Sequence, residues 1–387
     1  MSAKDDAADA MVLKAAQIEE AIGETLDEAR RKVGRAAEEA GRGVEEAVGN
    51  ARARVAEAAA SVEDVFDETV ERTRSFWRRA WIALVRWFDT SAQVAVDGPA
   101  ADRVDWLRVI PFIGLHVACI GVFFTGVSGF ALGVAAFLYA IRMFAITGFY
   151  HRYFSHRAFR TSRPMQFLFG LIGASSVQRG PLWWAAHHRH HHRHSDQPAD
   201  LHSPVQHGFW KSHMGWFLTP RAFAIDRKAI PDLVKYPELE FLDRFDTFVP
   251  IALAVFLFWL GGVLETHVPG LGTSGPQLLF WGFFVSTVVL FHATVTINSL
   301  CHVWGKRRYQ TRDQSRNNAW LALITFGEGW HNNHHHYPGS ARQGFFWWEI
   351  DLTYYLLKVM SWVGLIWDLK PVPARIRDAA GVAARPR

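Results

Sequence analysis

The chain has 387 residues, half of them apolar, with 17 Trp, 29 Phe and a formal net charge of +5. That length allows one large domain plus an appendage, and so small a positive excess gives no reason to expect a nucleic-acid partner. The two cysteines, Cys119 and Cys301, stand in apolar surroundings and exclude a disulfide framework and a Cys-based zinc or iron–sulfur site.

Residues 1–74 are rich in Ala, Glu and Arg and contain no Pro. An 11-residue repeat runs through them, in three registers: Ile18, Ala29, Ala40, Ala51, Val62; Ile22, Val33, Val44, Val55, Phe66; and Leu26, Ala37, Val48, Ala59, Val70. Eleven residues in three turns is about 3.67 per turn, close to a straight helix. The pattern predicts a long helix with one thin apolar stripe, either lying on a membrane or another helix, or solvated and partly frayed. Gly23, Gly34, Gly41, Gly43 and Gly49 each cost roughly 1 kcal/mol in a helix interior, which favours a helix that forms on contact. No apolar signal region opens the chain, so the N-terminus is expected in the cytosol. From Phe76 to Phe88 apolar residues recur at helical spacing among Arg78, Arg79 and Arg86. Residues 75–105 are read as an interfacial helix and linker, the linker at Asp97-Gly-Pro99.

No Asp, Glu, Lys or Arg occurs between Arg108 and Arg142, a run longer than the roughly 20 residues of one span. Thr125-Gly-Val-Ser-Gly129 puts a turn in its middle. This predicts a hairpin of two transmembrane helices, the second continuing past the membrane towards His151. A second pair is predicted at 248–266 and 278–300, joined by the Pro/Gly-rich loop 268–276. Neither connecting loop carries Lys or Arg, whereas the segment between the pairs carries many, including Arg152, Arg157, Arg189, Lys211 and Arg227. The cytosolic bias of basic residues places that segment in the cytosol. The stretch 346–369, with Trp347, Trp348, Trp362 and Trp367, is expected to lie against the membrane, and the tail after Pro371 to be disordered. The expected fold is an all-α integral membrane protein with four transmembrane helices, a cytosolic helical cap and a long N-terminal amphipathic helix. Both termini are expected in the cytosol, the membrane being a bacterial inner membrane. The domain boundaries read as 1–74, 75–105, 106–372 for the transmembrane domain, and 373–387 for the tail.

Three histidine boxes lie among these apolar segments: His151-Arg-Tyr-Phe-Ser-His156, His188-Arg-His-His191-His192 and His331-Asn-Asn-His334-His335. In the second and third, spacing at i, i+3, i+4 puts three imidazoles on one helix face. His151 and His156 are five apart, roughly 140° around an α-helix; they reach two different metals from one element, or the helix ends between them. Thr294, Asn298 and His302 form a stripe on the fourth span, with Thr294 about 12 Å deeper than His302. A histidine-dense run such as 187–194 also suits metal storage, but storage needs no fixed spacing, and here HxxHH occurs twice. Eight box histidines plus His302 are too many for one ion and right for two. The Glu and Glu-x-x-His pattern of carboxylate-bridged di-iron bundles is absent. Zinc hydrolysis is the other metal chemistry, although one zinc needs only three or four ligands. Redox iron with O₂ fits better.

These boxes resemble those of the membrane fatty acyl desaturases, in particular the acyl-CoA Δ9 (stearoyl-CoA) branch. The flanking words match as well: Asn298-Ser-Leu-Cys-His302, Gln314-Ser-Arg316, Gly327-Glu-Gly-Trp-His331-Asn and Gly364-Leu-Ile-Trp-Asp-Leu369. The resemblance covers roughly 106–370. It implies two irons held by His151, His156, His188, His191, His192, His302, His331, His334 and His335, with Asn298 acting through water. It implies an acyl tunnel bent at Gln178, Trp184 and Thr294, and a cis double bond placed between C9 and C10 of a long-chain acyl-CoA or other acyl lipid, with O₂ as co-substrate. His190, His194 and His336 depart from the pattern and are read either as groups supporting the metal ligands or as solvated. The chain shows no haem motif, ferredoxin cysteines or dinucleotide fingerprint. Two electrons per turnover are therefore expected from a separate ferredoxin, rubredoxin or cytochrome b5-like donor with its reductase. The basic face could attract that donor or the phosphates of CoA; positive-inside bias alone gives the same pattern. A lipid hydroxylase on the same scaffold is the alternative reading, and a non-enzymatic lipid-surface protein with a metal-storing core is a third.

Overall fold

The computed structural model describes residues 3–37, 43–92, 96 and 98–379. The chain divides after Trp81 into two units. Two long helices, Ala3–Ala37 and Gly43–Phe88, account for the N-terminal region. Ala40 and Gly41 of the repeat lie outside the described residues, as do the side chains of Val33, Ala37, Val44, Val48 and Ala51. Of the remaining stripe, Ile18, Ile22, Ala29, Val55 and Val62 are half-buried, while Leu26, Ala59, Phe66 and Val70 are exposed. Neither Gly nor Pro interrupts residues 50–88. The second helix accordingly runs through position 75 unbroken, and the aromatic stretch 76–88 is its end rather than a separate element.

Four helices in the second unit are long and apolar enough to cross a membrane: Gly98–Thr125, Gly129–Ser155, Phe248–His267 and Gly275–His302. The unit is an all-α membrane fold apart from one two-stranded ribbon, Arg160–Thr161 against Ile366–Trp367. The first turn forms where expected. Gly126 takes φ 69°, and Ser128 Oγ accepts from Ala131 N at 3.1 Å to cap the second span. Lipid provides no hydrophobic drive between spans, so close backbone approach and polar contacts must hold them. Gly261 supplies the first: a Cβ there would stand 2.4 Å from the Ser274 carbonyl oxygen. Arg142 supplies the second. Its buried guanidinium donates to Thr287 Oγ1 at 2.7 Å, and also to Ser286 Oγ.

A chain of three imidazoles adds a further tie. His116 Nδ1 meets the Phe112 carbonyl at 2.9 Å, His116 Nε2 meets His292 Nε2 at 3.2 Å, and His292 Nδ1 meets His213 Nε2 at 3.1 Å. A carbonyl only accepts, so in the neutral chain every N–H points towards the first span.

The cap is built on the core residues Tyr150, Phe154, Phe159, Phe169, Leu182 and Leu239. One expectation needs correction, that of a disordered tail after Pro371. Within 346–369 the helix is Leu352–Trp362. The Asp351 carboxylate accepts from Gln343 N and Tyr354 N, which folds the preceding residues into a loop, and Gly364 at φ 76° lies just past the helix end. The start of the tail is ordered: Ala374–Arg377 forms a helical turn, and Tyr309 Oη donates to the Arg377 carbonyl at 2.7 Å. Residues 380–387 lie outside the described residues. Trp347, Trp348, Trp362 and Trp367 are all exposed, as a membrane-facing belt requires.

Gly261→Ala is expected to cost about 1–3 kcal/mol through overpacking. At neighbouring Gly262 a Cβ meets nothing within 4 Å, and Gly262→Ala should be neutral or stabilising by up to about 1 kcal/mol. Thermal unfolding of the two variants in detergent checks this; equal shifts would contradict the contact.

Candidate metal centre

The first box lies in a π-helix, Ala145–Ser155, at the end of the second span. Its i→i+5 hydrogen bonds include His156 N to the His151 carbonyl at 3.2 Å. A π-turn stacks residue i+5 nearly above residue i, so His151 and His156 face the same way. The helix ends at Ser155 with His156 as its C-cap, the second of the two readings left open, and the two rings join one group of imidazoles rather than two. Arg189, inside the second box, donates to the carbonyls of Phe154 at 2.8 Å and Ser155 at 2.9 Å. It thereby satisfies acceptors at the end of the π-helix and is itself held by Asp232 at 2.6 Å.

The second box occupies the helix Pro181–His194, capped from a distance by the Asp243 carboxylate, which accepts from Trp183 N at 2.8 Å. Burial lifts the Asp243 carboxyl to about 7. The third box forms a short helix, His331–His336. Its two fully buried asparagines anchor it. Asn332 Oδ1 accepts from Arg308 N and Tyr309 N, each at 2.7 Å, and Asn333 Nδ2 donates to Glu349 Oε2 at 2.9 Å.

All nine predicted histidines converge, and they do so as two groups. His151, His156, His188, His192 and His334 form one; His191, His302, His331 and His335 form the other. Within each group the ring nitrogens lie within 4.8 Å of one another. The closest approaches are His156 Nε2 to His188 Nε2 at 2.8 Å and His302 Nε2 to His331 Nε2 at 3.1 Å. His190, His194 and His336 stand outside both groups, but they are half-buried rather than solvated. His190 donates to the Ala199 carbonyl at 2.8 Å and packs on His194, and His336 stacks on Tyr309 at 4.1 Å.

Four carboxylates stand behind the rings. Glu328 meets His151 Nδ1 at 2.5 Å, Asp200 meets His191 Nδ1 at 3.0 Å, Asp196 meets His302 Nδ1 at 2.8 Å and Asp313 meets His335 Nδ1 at 2.6 Å. Each takes the Nδ1–H and leaves the Nε2 lone pair turned inward, the arrangement that orients metal-binding imidazoles. Burial opposes ionisation of these carboxyls, yet their imidazole partners, with Arg152 beside Glu328, hold all four below the usual carboxylate range. Burial drives His156, His188, His192, His331 and His334 well below the ordinary imidazole range, and His335 to about 4. Neutral imidazole is the form that binds metal. His335 Nε2 and His331 Nδ1 are buried without a protein partner. On these grounds the residues fit a metal site.

Two adjoining cavities flank the groups. One, about 240 Å³, includes Gln178, Trp184, Thr294 and Asn298 in its lining together with apolar Phe112 and Phe291. The other, about 40 Å³, shares Trp184, Thr294 and Asn298 and adds Met143, Ile146 and Thr147. Gln178 Nε2 donates to Thr294 Oγ1 at 3.0 Å, and Trp184 stacks on His188 at 4.9 Å. Of the three expected tunnel residues, Trp184 and Thr294 line both cavities, and Gln178 lines the larger one.

Residues 128–360 match the model of the fatty acid desaturase family. The chain belongs to the fatty acid desaturase family. It is 34% identical over 316 residues to a probable chloroplastic lipid desaturase of Arabidopsis thaliana, covering 80% of this chain and 78% of the relative. It is 36% identical over 272 residues to the sn-1 stearoyl-lipid 9-desaturase of Anabaena variabilis, covering 69% and 94%. It is 36% identical over 296 residues to an acyl-CoA 5-desaturase of Anemone leveillei, covering 72% and 87%.

Sequence reasoning about this desaturase missed the four carboxylates as a set. Glu328 and Asp200 sat within stretches singled out for other reasons, but Asp196 and Asp313 carried no periodic signal. The DQS run at 313–315 lies directly at the matched Gln314-Ser-Arg316 word and was the one available pointer.

Asp313→Asn removes the acceptor behind His335, and it should lower metal retention by about 10- to 100-fold, read as metal content after equilibration with a chelator. A separate expectation concerns pH. Unfolded imidazoles take up protons near an ordinary pKa of about 6.5, whereas the six rings that burial lowers do not, and they outnumber His191, which Asp200 raises. Below that pH the unfolded chain holds more protons than the folded one, and stability falls. The Tm of the metal-free protein should decline steadily from pH 7 to pH 5; a flat profile would show that the rings are not held neutral.

Proposed function

We propose that this desaturase inserts a cis double bond between C9 and C10 of a saturated long-chain acyl group, using two irons, O₂ and two electrons from an external donor. The observation that carries this reading is the division of nine imidazoles into groups of five and four beside a partly apolar cavity. Four carboxylates behind the rings match the charge of two divalent ions. Zinc has no redox chemistry, so an oxidoreductase with an all-imidazole inner set points to iron among the metals that imidazole suits. When bound, the irons supply the oxidation of two adjacent C–H bonds while O₂ is reduced to water.

The chain's own residues do the rest. Glu328, Asp196, Asp200 and Asp313 keep the Nδ1 protons and aim Nε2 at the metals. Asn298, on the lining of both cavities, is assigned a contact through water. Trp184 and the Gln178–Thr294 pair bend the acyl chain and select the bond presented. Holding a flexible alkyl chain at one carbon is where positional control arises. Because one relative is named a 5-desaturase and another a 9-desaturase, the C9 position rests on that bend. The acyl carrier is CoA or a glycerolipid; relatives of both kinds are named. The basic segment between the span pairs favours a cytosolic metal centre, where a soluble electron donor can reach it.

Expression in a host lacking Δ9 unsaturated lipids tests the reading. Mass spectrometry should locate a 9,10 double bond that disappears with His331→Ala. A bond elsewhere would overturn the tunnel assignment. A hydroxylated chain would move the enzyme to hydroxylase chemistry.

A further inference from the structure

Trp87 lies outside the matched residues 128–360, yet it lines the larger cavity beside the metal groups. Its position has a local cause. The helix Trp106–Ala118 contains Pro111, which has no amide hydrogen and cannot donate to the carbonyl four residues earlier. That carbonyl belongs to Leu107, and the Trp87 indole Nε1–H donates to it at 2.9 Å. Two more contacts hold the same helix end. Arg244 grips the Asp89 carboxylate in a forked pair at 3.0 and 2.7 Å, and Thr90 Oγ1 donates to the Asp243 carbonyl at 3.0 Å. The lining around Trp87 is the charged part of the cavity, with Arg86, Arg108, Arg179 and Asp246. Arg108 lies over the Phe223 ring at 4.6 Å, and Arg179 pairs with Asp246 at 2.7 Å. Phe112, Leu115, Phe291 and Val295 give the cavity an apolar wall, and Gln178, His187, His188, His202, Thr294 and Asn298 line it as well. An acyl chain fits such a cavity with its ester or thioester among the charged groups around Trp87 and its methylenes along the apolar wall.

We propose that the Arg86–Trp87 end of the helix Gly43–Phe88 is a substrate-positioning element that closes the head-group end of the acyl cavity. The proposal rests on the acyl desaturase reading. The indole, fixed to the proline-freed carbonyl, limits how far the head group withdraws, and so fixes which methylenes lie beside the metal groups.

The test uses full-length protein in lipid nanodiscs, supplied with electrons and a defined saturated acyl substrate. Trp87→Phe keeps the ring and loses the donor; it should raise KM by roughly three- to tenfold, the worth of one net hydrogen bond. Trp87→Ala should raise it further and add double-bond positional isomers, with kcat and metal content within about twofold of wild type in both, a split that general misfolding would not give. Pro111→Ala returns a helical donor to Leu107, so adding Trp87→Phe in that background should change KM little further. Such non-additivity is the mark of a direct coupling. Equilibrium binding of a fluorescent saturated acyl lipid gives the same comparison without turnover and should weaken in parallel. Wild-type KM, binding and product in both Trp87 variants would overturn the proposal, as would effects of Pro111→Ala and Trp87→Phe that simply add. A wild-type protein that binds the lipid but makes no double bond would instead overturn the desaturase reading, and the binding comparison would still decide the role of Trp87.

Discussion

Nine imidazole rings share so small a volume that their charge must be held down, and most of this structure follows from that constraint. Burial drives six of them, His156, His188, His192, His331, His334 and His335, below the ordinary imidazole range, whereas at His191 the Asp200 carboxylate outweighs burial and raises it. The four carboxylates remove the remaining freedom by taking the Nδ1 proton, so that lone pairs and not N–H groups face one another. Such a set is costly for a folded chain by itself. The π-turn at Ala145–Ser155, the guanidinium of Arg189 on its last carbonyls, and the buried Asn332–Asn333 pair are the contacts that hold it together.

The membrane half and the cap meet this demand differently. Between the spans, contact comes from backbone approach at Gly261 and a few polar ties such as Arg142 with Thr287. In the cap, aromatic packing around Tyr150, Phe154 and Phe169 supplies an ordinary core. The acyl cavity draws on both halves, taking apolar residues such as Phe291 from a span and Trp184 and Gln178 from the cap.

Much of this was readable in order. Charge-free runs and the Thr125–Gly129 turn located the spans, and HxxHH spacing located two of the ligand faces. What could not be read arises from backbone geometry and from contacts distant in sequence. A gap of five between His151 and His156 is awkward on an α-helix and natural on a π-helix, but no propensity scale distinguishes the two. Asp196 and Asp313 matter because of where His302 and His335 are placed, not because of a pattern of their own. The loop before Leu352 depends on Asp351, which caps the next helix and bonds back to Gln343, a contact with no sequence signal of its own. His116, His213 and His292 are isolated in the sequence and adjacent in the fold.

The division of the imidazoles has a consequence for how the protein is made. The five-ring group takes members from the end of the second span, from the segment that follows it and from the box at 331–335; the four-ring group adds His302 at the end of the fourth span. Neither group can close until the last hairpin is inserted and the chain beyond it has folded back. During synthesis the first two boxes must therefore wait, emerged from the ribosome but incomplete, and loop closure over more than 140 residues precedes any gain from bringing the rings together. Metal loading is bound to be a late event, one that finishes the protein rather than nucleating it.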